Sequence, residues 1–112
     1  MGVCKNYLIA CYGNGLISIF EIDTGKKLVD ITGHARWINC MDVMGDKFVT
    51  GSEDCFLKLW QITEINHQIK VLPVHSERCV DSLITGVQFN RKNEDICVTC
   101  YDSNDILIFK LQ

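Results

Sequence analysis

The sequence lacks the segments that direct a chain to a membrane or to nucleic acid. Its N-terminus, MGVCKNYLIACYGNG, does not show the charged, apolar and small-residue order of a signal peptide. No apolar run approaches the roughly 18 residues of a membrane span. The 11 basic and 14 acidic residues include no basic cluster that could neutralise a run of phosphates. We therefore expect an intracellular protein, cytoplasmic or nuclear, with neither a membrane nor a nucleic acid as partner.

A disulfide framework is also missing. Seven cysteines, an odd number at irregular spacing, are typical of reduced thiols in a core. Cys97 and Cys100 form a CxxC pair, which could indicate a metal or redox site. The surrounding DICVTCY reads as a strand, in which residues three apart point to opposite faces. We therefore expect no metal and no cofactor.

No segment has sustained helical periodicity, and a repeat of about forty residues is present instead. A shift of forty places residues 1–22 on 41–62, so that Phe20 meets Trp60. A shift of forty-nine from the second copy places Phe109 on the same tryptophan. The chain therefore holds about two and two-thirds copies of one unit.

Each unit consists of short apolar strands separated by turn residues. In the central copy the predicted strands are 38–43, 47–51, 56–62 and 69–72. Residues 56–62 are apolar on both faces, with Trp60 on one and Leu57 and Leu59 on the other, and Lys58 is the exception. A sheet with one wet face would alternate more cleanly. We predict an all-β fold of antiparallel four-stranded sheets, covered on both sides by neighbouring units.

The order of motifs in the central copy resembles the WD40 repeat. Gly33 and His34 are followed by a strand, then TGSED at 50–54, then LKLW ending at Trp60. In this family four-stranded sheets form the blades of a β-propeller. The central copy departs from the pattern in having Gln61 where aspartate is usual. Three short stretches, YGNG, GHAR and ERCVDS, also resemble the C-terminal blades of one member of the family.

The other two copies are degenerate. Phe20 and Phe109 replace the tryptophan, and Val74 replaces the glycine before His75. The resemblance implies an incomplete propeller of about three blades. Residues 1–32 would form a partial first blade, 33–73 a complete central blade, and 74–112 a last blade without its outer strand.

The resemblance also implies a structural tetrad of hydrogen-bonded side chains in the central blade: His34, Thr50, Asp54 and Trp60. An indole only donates, a carboxylate only accepts, and a hydroxyl and a neutral imidazole do both. A relay from Trp60 through Thr50 and His34 to Asp54 would join strands, loop and turn. The third copy keeps His75 and a threonine, but Ser103 falls where the carboxylate should be.

An enzyme would use the same residue types differently. Thr50 or Cys55 would be the nucleophile, His34 the base and Asp54 the group that orients the base. Such a site needs an exposed nucleophile and an oxyanion hole, and the sequence has neither GxSxG nor a glycine-rich nucleophile turn. We therefore predict a non-catalytic protein.

Membership of this family implies protein recognition through the blade-edge loops. Arginine, tryptophan and tyrosine are enriched among interface hot spots. The candidate partner-binding residues are Arg36, Trp37, Glu53, Arg78 and Tyr101. The alternative is that Trp37 packs against its own blade and Arg36 is a solvated charge. The sequence does not identify the protein partners.

A second function is possible, because fewer than four blades leave apolar faces and a sheet edge open to water. The chain would then associate with copies of itself or with the missing blades. A charge at Leu57 or Leu59 would be expected to weaken this self-association.

Overall fold

The structure, a computed structural model, describes residues 1–66, 68–79, 82–92, 95–101 and 105–110. Within these ranges every regular element is a strand, and sequential strands pair antiparallel in three sheets. The first sheet contains β1 (Gly2–Cys4), β2 (Tyr7–Cys11), β3 (Leu16–Glu21) and β4 (Lys27–Thr32). The second contains β5 (Ile38–Met44), β6 (Lys47–Ser52), β7 (Phe56–Ile65) and β8 (Gln68–Arg78). The third contains β9 (Ile84–Phe89), β10 (Ile96–Cys100) and β11 (Ile106–Phe109). This confirms the predicted all-β fold with antiparallel four-stranded sheets.

None of the described segments forms a helix with the length and hydropathy that a membrane span requires.

Both faces of the second sheet are buried, because successive residues of a strand point to opposite sides. Phe48 and Trp60 pack into a cluster shared with the first sheet, and their rings stack with centroids 6.1 Å apart. Val49, Leu57 and Leu59 pack into a second cluster shared with the third sheet. The two-sided cover predicted from the apolar strands is therefore present.

The burial of Leu57 and Leu59 corrects one expectation. Both leucines are almost fully buried against the third sheet, so they do not lie on an open blade face. A charge at either position would act on folding before it could act on association. The open faces of this chain belong to the first and third sheets.

Strand β8 is longer than the sequence predicts. It continues from Gln68 to Arg78, past the predicted end at Leu72. The cause is the length of β7, because β8 pairs with β7 along its whole length. Phe56 lies opposite Arg78 at one end, and Ile65 lies opposite Gln68 at the other. The expected boundary between residues 73 and 74 therefore falls inside a strand, and the first strand of the third sheet begins at Ile84.

Because each sheet is an antiparallel meander, the loop before its first strand and the turn between its second and third strands lie at one end. We call this end the upper rim. In the second sheet it comprises residues 33–37 and 53–55, and in the first sheet the turn at 12–15. A hydrogen bond of 2.9 Å from the Glu53 N–H to the Trp37 carbonyl joins the two segments of the second sheet.

Candidate functional site

The loop that positions His34 is held by the first sheet. The carbonyl of Gly15 accepts hydrogen bonds of 3.1 Å from the N–H groups of both Gly33 and His34. Gly15 has φ +86°, and a Cβ at this position would collide with the His34 carbonyl oxygen. Only glycine fits there without strain, so this turn of the first sheet fixes the imidazole of the second.

The four residues of the predicted tetrad lie together. Trp60 Nε1 donates to Thr50 Oγ1 at 3.0 Å, and Thr50 Oγ1 lies 2.6 Å from His34 Nε2. On the other side of the ring, His34 Nδ1 lies 2.9 Å from Asp54 Oδ2. The chain of contacts runs from β7 through β6 to the loop before β5 and on to the turn before β7.

The partners determine where the protons sit. The Asp54 carboxylate can only accept, so His34 Nδ1 carries the proton. In the neutral ring Nε2 then accepts from the Thr50 hydroxyl, whose oxygen accepts from Trp60. Every donor and acceptor in this relay of four side chains has a partner only when the imidazole is neutral.

Electrostatics favour the same protonation state. Burial lowers the pKa of the His34 imidazole, and the opposing attraction of Asp54 does not overcome this effect. Burial raises the pKa of the Asp54 carboxyl, but hydrogen bonds from the N–H groups of Phe56 and Ala35 and from the His34 ring outweigh burial. The net result is a carboxyl pKa below its ordinary value and a neutral imidazole at pH 7.

Asp54 and Ser52 also fasten the upper rim. Asp54 accepts hydrogen bonds from the N–H of Ala35 at 3.1 Å and from the N–H of Phe56 at 2.9 Å. The hydroxyl of Ser52 donates to the carbonyl of Trp37 at 2.7 Å. The turn before β7 and the loop before β5 are therefore tied together on both sides of His34.

Triad-like geometry does not make the Thr50 hydroxyl a reachable nucleophile. Thr50 is 0% exposed and His34 2% exposed, so no substrate reaches the hydroxyl in this conformation. Cys55 is half-buried, and its Sγ lies 4.0 Å from the carbonyl of Glu53. The two ring nitrogens of His34 contact Asp54 and Thr50 rather than this thiol.

The candidate partner-binding residues fall into three places on the upper rim. Arg36, Trp37 and Glu53 lie together at the second sheet. Arg78 lies at the end of the outer strand of this sheet, opposite Phe56. Tyr101 follows β10 of the third sheet and is 67% exposed.

Trp37 bridges two sheets at this rim. A Cβ on Gly13 would lie 2.9 Å from the indole ring, so the ring lies directly against the turn of the first sheet. The side chain is nevertheless 62% exposed. Trp37 is thus supported by the neighbouring blade on one side and open to solvent on the other.

The third copy does not assemble a comparable relay among the described residues. His75 lies on β8, where it is exposed and its Nε2 contacts Glu77 Oε1 at 2.8 Å. Thr99 lies on the third sheet and contacts the hydroxyl of Thr85 at 3.2 Å. The length of β8 separates these residues, and Ser103 lies outside the described residues.

Two supporting residues of the tetrad were not found from the sequence. Gly15 holds the His34 loop, and Lys58 Nζ donates to the carbonyl of Gly33 at 2.6 Å. Lys58 did give a signal, since it interrupts an apolar strand face. Gly15 gave none, because its contact is with a loop eighteen residues further along the chain.

Comparisons with known proteins agree with this geometry. The sequence model of a family described as WDR54 matches residues 2–111. The chain is 31% identical to "WD repeat-containing protein 54" of Mus musculus over 110 residues, 94% of this chain and 33% of the relative. The human protein of that name is also 31% identical, with the same coverage. The chain thus spans about a third of the length of the curated relatives it matches.

Solved structures give the same architecture. The WD40 β-propeller domain of Doa1 superimposes with a TM-score of 0.77 at 25% identity, over 100% of this chain and 36% of that chain. The β-propeller domain of Cps50 (Swd1) from Myceliophteria thermophila gives a TM-score of 0.83 at 14% identity, over 94% of this chain and 34% of that chain. The described sheets correspond to part of a propeller.

We expect Thr50→Val to destabilise the fold by about 1–3 kcal/mol, because it leaves Trp60 Nε1 and His34 Nε2 buried without partners. The measurement is urea unfolding of both proteins. Thr99→Val is the matched control, since Thr99 is exposed, and its effect is expected to stay within about 0.5 kcal/mol. Equal losses for the two variants would contradict a structural role for the relay.

Stability is expected to fall in acid in two windows. The pKa of His34 is lower in the folded state than in the unfolded state. Its contribution to the free energy of unfolding is therefore present above about pH 6.5 and is lost as the pH falls below that value. The Asp54 pKa is also lowered, so its contribution to stability is present above about pH 4 and is lost as the pH falls below it. Urea unfolding from pH 7.5 down to about pH 2.5 measures both. A flat profile in the native sequence would refute the neutral relay.

Proposed function

The chain belongs to the WDR54 family of WD40-repeat proteins, and from that membership we propose that it is a non-catalytic scaffold that binds protein partners on its upper rim. WD40 propellers generally serve as protein-interaction scaffolds. The structure of this chain has an exposed tryptophan at that rim, Trp37, which lies on Gly13 and next to Arg36 in the sequence. This is the observation on which the proposal depends.

The position of Trp37 suits a binding anchor. A tryptophan loses little conformational freedom on binding when its ring is already supported, which reduces the entropic cost of association. Ser52 holds the Trp37 carbonyl, and the Glu53 N–H bonds to the same oxygen. The backbone under the indole is therefore fixed before any partner arrives.

The neighbouring charges add polar groups to this surface. Arg36 is exposed and makes no ion pair with any residue in the described ranges. Glu53 is half-buried, and its backbone N–H donates to the carbonyl of Trp37 in the same loop. A loop that presents an exposed tryptophan next to an arginine matches the enrichment of these residue types at protein interfaces.

The buried relay has a separate role in this proposal. We assign His34, Thr50, Asp54 and Trp60 to stabilising the central blade and to holding the loop that presents Arg36 and Trp37. The 0% exposure of Thr50 supports this assignment over hydrolysis. An Asp54→Ala variant would accordingly lose stability, whereas an enzyme would lose turnover and keep its fold.

Replacing Trp37 by alanine is expected to remove captured partners without unfolding the chain. Loss of a hot-spot side chain, about 2 kcal/mol, corresponds to roughly a thirtyfold weaker interaction. Quantitative pull-down from cells, with binding constants measured for the proteins that are lost, tests this. Ile65→Ala is the matched control. Ile65 is also 62% exposed, but it ends β7 and so lies away from the upper rim, where β7 begins. Equal capture by Trp37→Ala and the native chain would refute the rim proposal.

Self-association is a second candidate, favoured by the outward face of the first sheet. Val3, Leu8, Ala10 and Phe20 line an apolar cavity of about 470 Å³ on this face. At the other end of the chain, β11 of the third sheet exposes Ile106 and Ile108. Apolar surfaces of this kind associate in water.

We expect Val3→Asp to weaken concentration-dependent association at least tenfold, because it places a charge on the apolar face of the first sheet. Val3 is 58% exposed, so the change need not disturb the core. Sedimentation velocity over a range of micromolar concentrations measures the effect. Val74→Asp on β8 is the control, since Val74 is 49% exposed and lies away from this face. A monomer at every concentration would exclude this second function.

A further inference from the structure

A cavity lies between the first and second sheets at the end of the molecule opposite the upper rim. We call this end the lower rim, and it includes the turn between β3 and β4 and the tip of the β7–β8 hairpin. The cavity has a volume of about 420 Å³, within the range of roughly 300 to 1,000 Å³ that is common for ligand pockets. Both of its walls belong to four-stranded sheets of this chain, so a further blade is not needed to form it.

The length of the β7–β8 hairpin creates one wall of this cavity. Strand β6 pairs with β7 only as far as Lys47 opposite Gln61, whereas the hairpin continues to the end of β7. In this extension Glu64 lies opposite Ile69, and residues directly opposite each other share one face of a sheet. Ile69 packs into the cluster shared with the first sheet. Glu64 therefore lies on the face of the hairpin that adjoins the first sheet.

Two carboxylates line the cavity, one from each sheet. Glu64 belongs to the second sheet, and Glu21 ends β3 of the first. The hydroxyl of Tyr7, opposite Glu21 in the first sheet, donates to Glu64 Oε2 at 3.0 Å. Burial, this hydrogen bond and the negative charges of Glu64 and Glu21 all raise the pKa of the Tyr7 phenol. The carboxylates of opposite walls thus act on the same buried side chain.

The charges of these two carboxylates are not balanced within the described ranges. The ion pairs found there involve neither Glu21 nor Glu64. Glu21 accepts a hydrogen bond of 2.8 Å from the Thr24 hydroxyl, which brings no charge. Lys27, at the start of β4, pairs with Asp30 at 3.0 Å instead. A cation between the two walls would be attracted by both carboxylates and would offset their mutual repulsion.

The rest of the lining selects the kind of cation. Leu28, Val29 and Ile69 supply apolar surface, which suits the methylene stem of a long charged side chain. A guanidinium carries five N–H donors in one plane and binds carboxylates through two parallel hydrogen bonds, whereas an ammonium is a compact point charge. Acceptors on opposite walls above an apolar floor therefore fit arginine better than lysine.

We propose that this cavity binds an arginine side chain of a protein partner. Glu21 and Glu64 accept hydrogen bonds from the guanidinium, and Leu28 and Ile69 contact the methylene groups. The cavity lies at the lower rim, whereas Trp37 lies at the upper rim. The arginine site is therefore a second binding place, and it does not rest on the function proposed for Trp37.

The test is an NMR titration of the ¹⁵N-labelled full chain with a capped Gly-Arg-Gly peptide as probe. We expect saturable shifts of the amide signals of Tyr7, Glu21 and Glu64. A capped Gly-Lys-Gly peptide should bind at least about fivefold more weakly, because its ammonium cannot form the paired hydrogen bonds. A peptide with citrulline in place of arginine keeps the shape but loses the charge, and it should not saturate the site.

Glu64→Gln and Glu21→Gln should each weaken binding of the arginine peptide at least about fivefold, because each removes a charged acceptor. Glutamine keeps the size of the side chain and an oxygen that can accept from Tyr7. If Glu21→Gln does not fold, Glu64→Gln decides the question, since Glu64 is exposed. Asp23→Asn is the matched control. It removes the same charge from the exposed turn beside the cavity and should bind the peptide as the native chain does.

Trp37→Ala should also bind the arginine peptide as the native chain does, so that failure of the arginine site and failure of the upper-rim proposal can be told apart. Equal weakening by Asp23→Asn and the glutamate variants would show attraction to the net negative charge of the chain and would overturn the proposal. Equal binding of the lysine or citrulline peptide would exclude recognition of a guanidinium. Shifts that do not saturate, or that occur away from the cavity, would also overturn it.

Discussion

Burial of both faces of the second sheet is the constraint on which this structure depends. In a strand, neighbouring residues point in opposite directions, so Val49 must enter one core when Phe48 enters the other. A slip of one residue would exchange the two sets and misplace Trp60 as well. The register of the central sheet is thus fixed by its two neighbours, and each neighbour keeps one face that this chain does not cover.

The hydrogen-bonded relay depends on this register. Trp60 reaches Thr50 because the two lie near one another on paired strands with fixed facing. His34 completes the chain of bonds only because Gly15 of the first sheet holds its loop. Groups that resemble a hydrolytic triad are thereby placed in the interior, where their polar atoms satisfy one another. The side chains that remain in solvent are those of the adjacent loop, Arg36 and Trp37.

The junction between the first two sheets has three chemically distinct levels. At the upper rim Trp37 lies on Gly13, in the core Phe48 and Trp60 of the second sheet pack into the cluster shared with the first sheet, and on the inner side Cys11 Sγ contacts Met41 Sδ. The two contacts that join the sheets directly link residues that are distant in the sequence, Gly13 with Trp37 and Cys11 with Met41. The same stacking that stabilises the fold therefore also supports the exposed indole of Trp37 at the upper rim.

Sequence alone determined the all-β fold and the repeat, because strand periodicity is local and the motifs recur with a fixed period. The choice of His34, Thr50, Asp54 and Trp60 came from the resemblance of the central copy to the WD40 repeat. The sequence pattern placed the end of β8 six residues too early, since the length of that strand follows from pairing with β7. His75, which the repeat aligns with His34, therefore lies within β8 rather than in the loop before the next sheet. Only the tertiary structure placed Gly15 under His34, Trp37 on Gly13 and Cys11 beside Met41. These contacts arise from the packing of one sheet on another, and no spacing in the sequence encodes the distance between two stacked sheets.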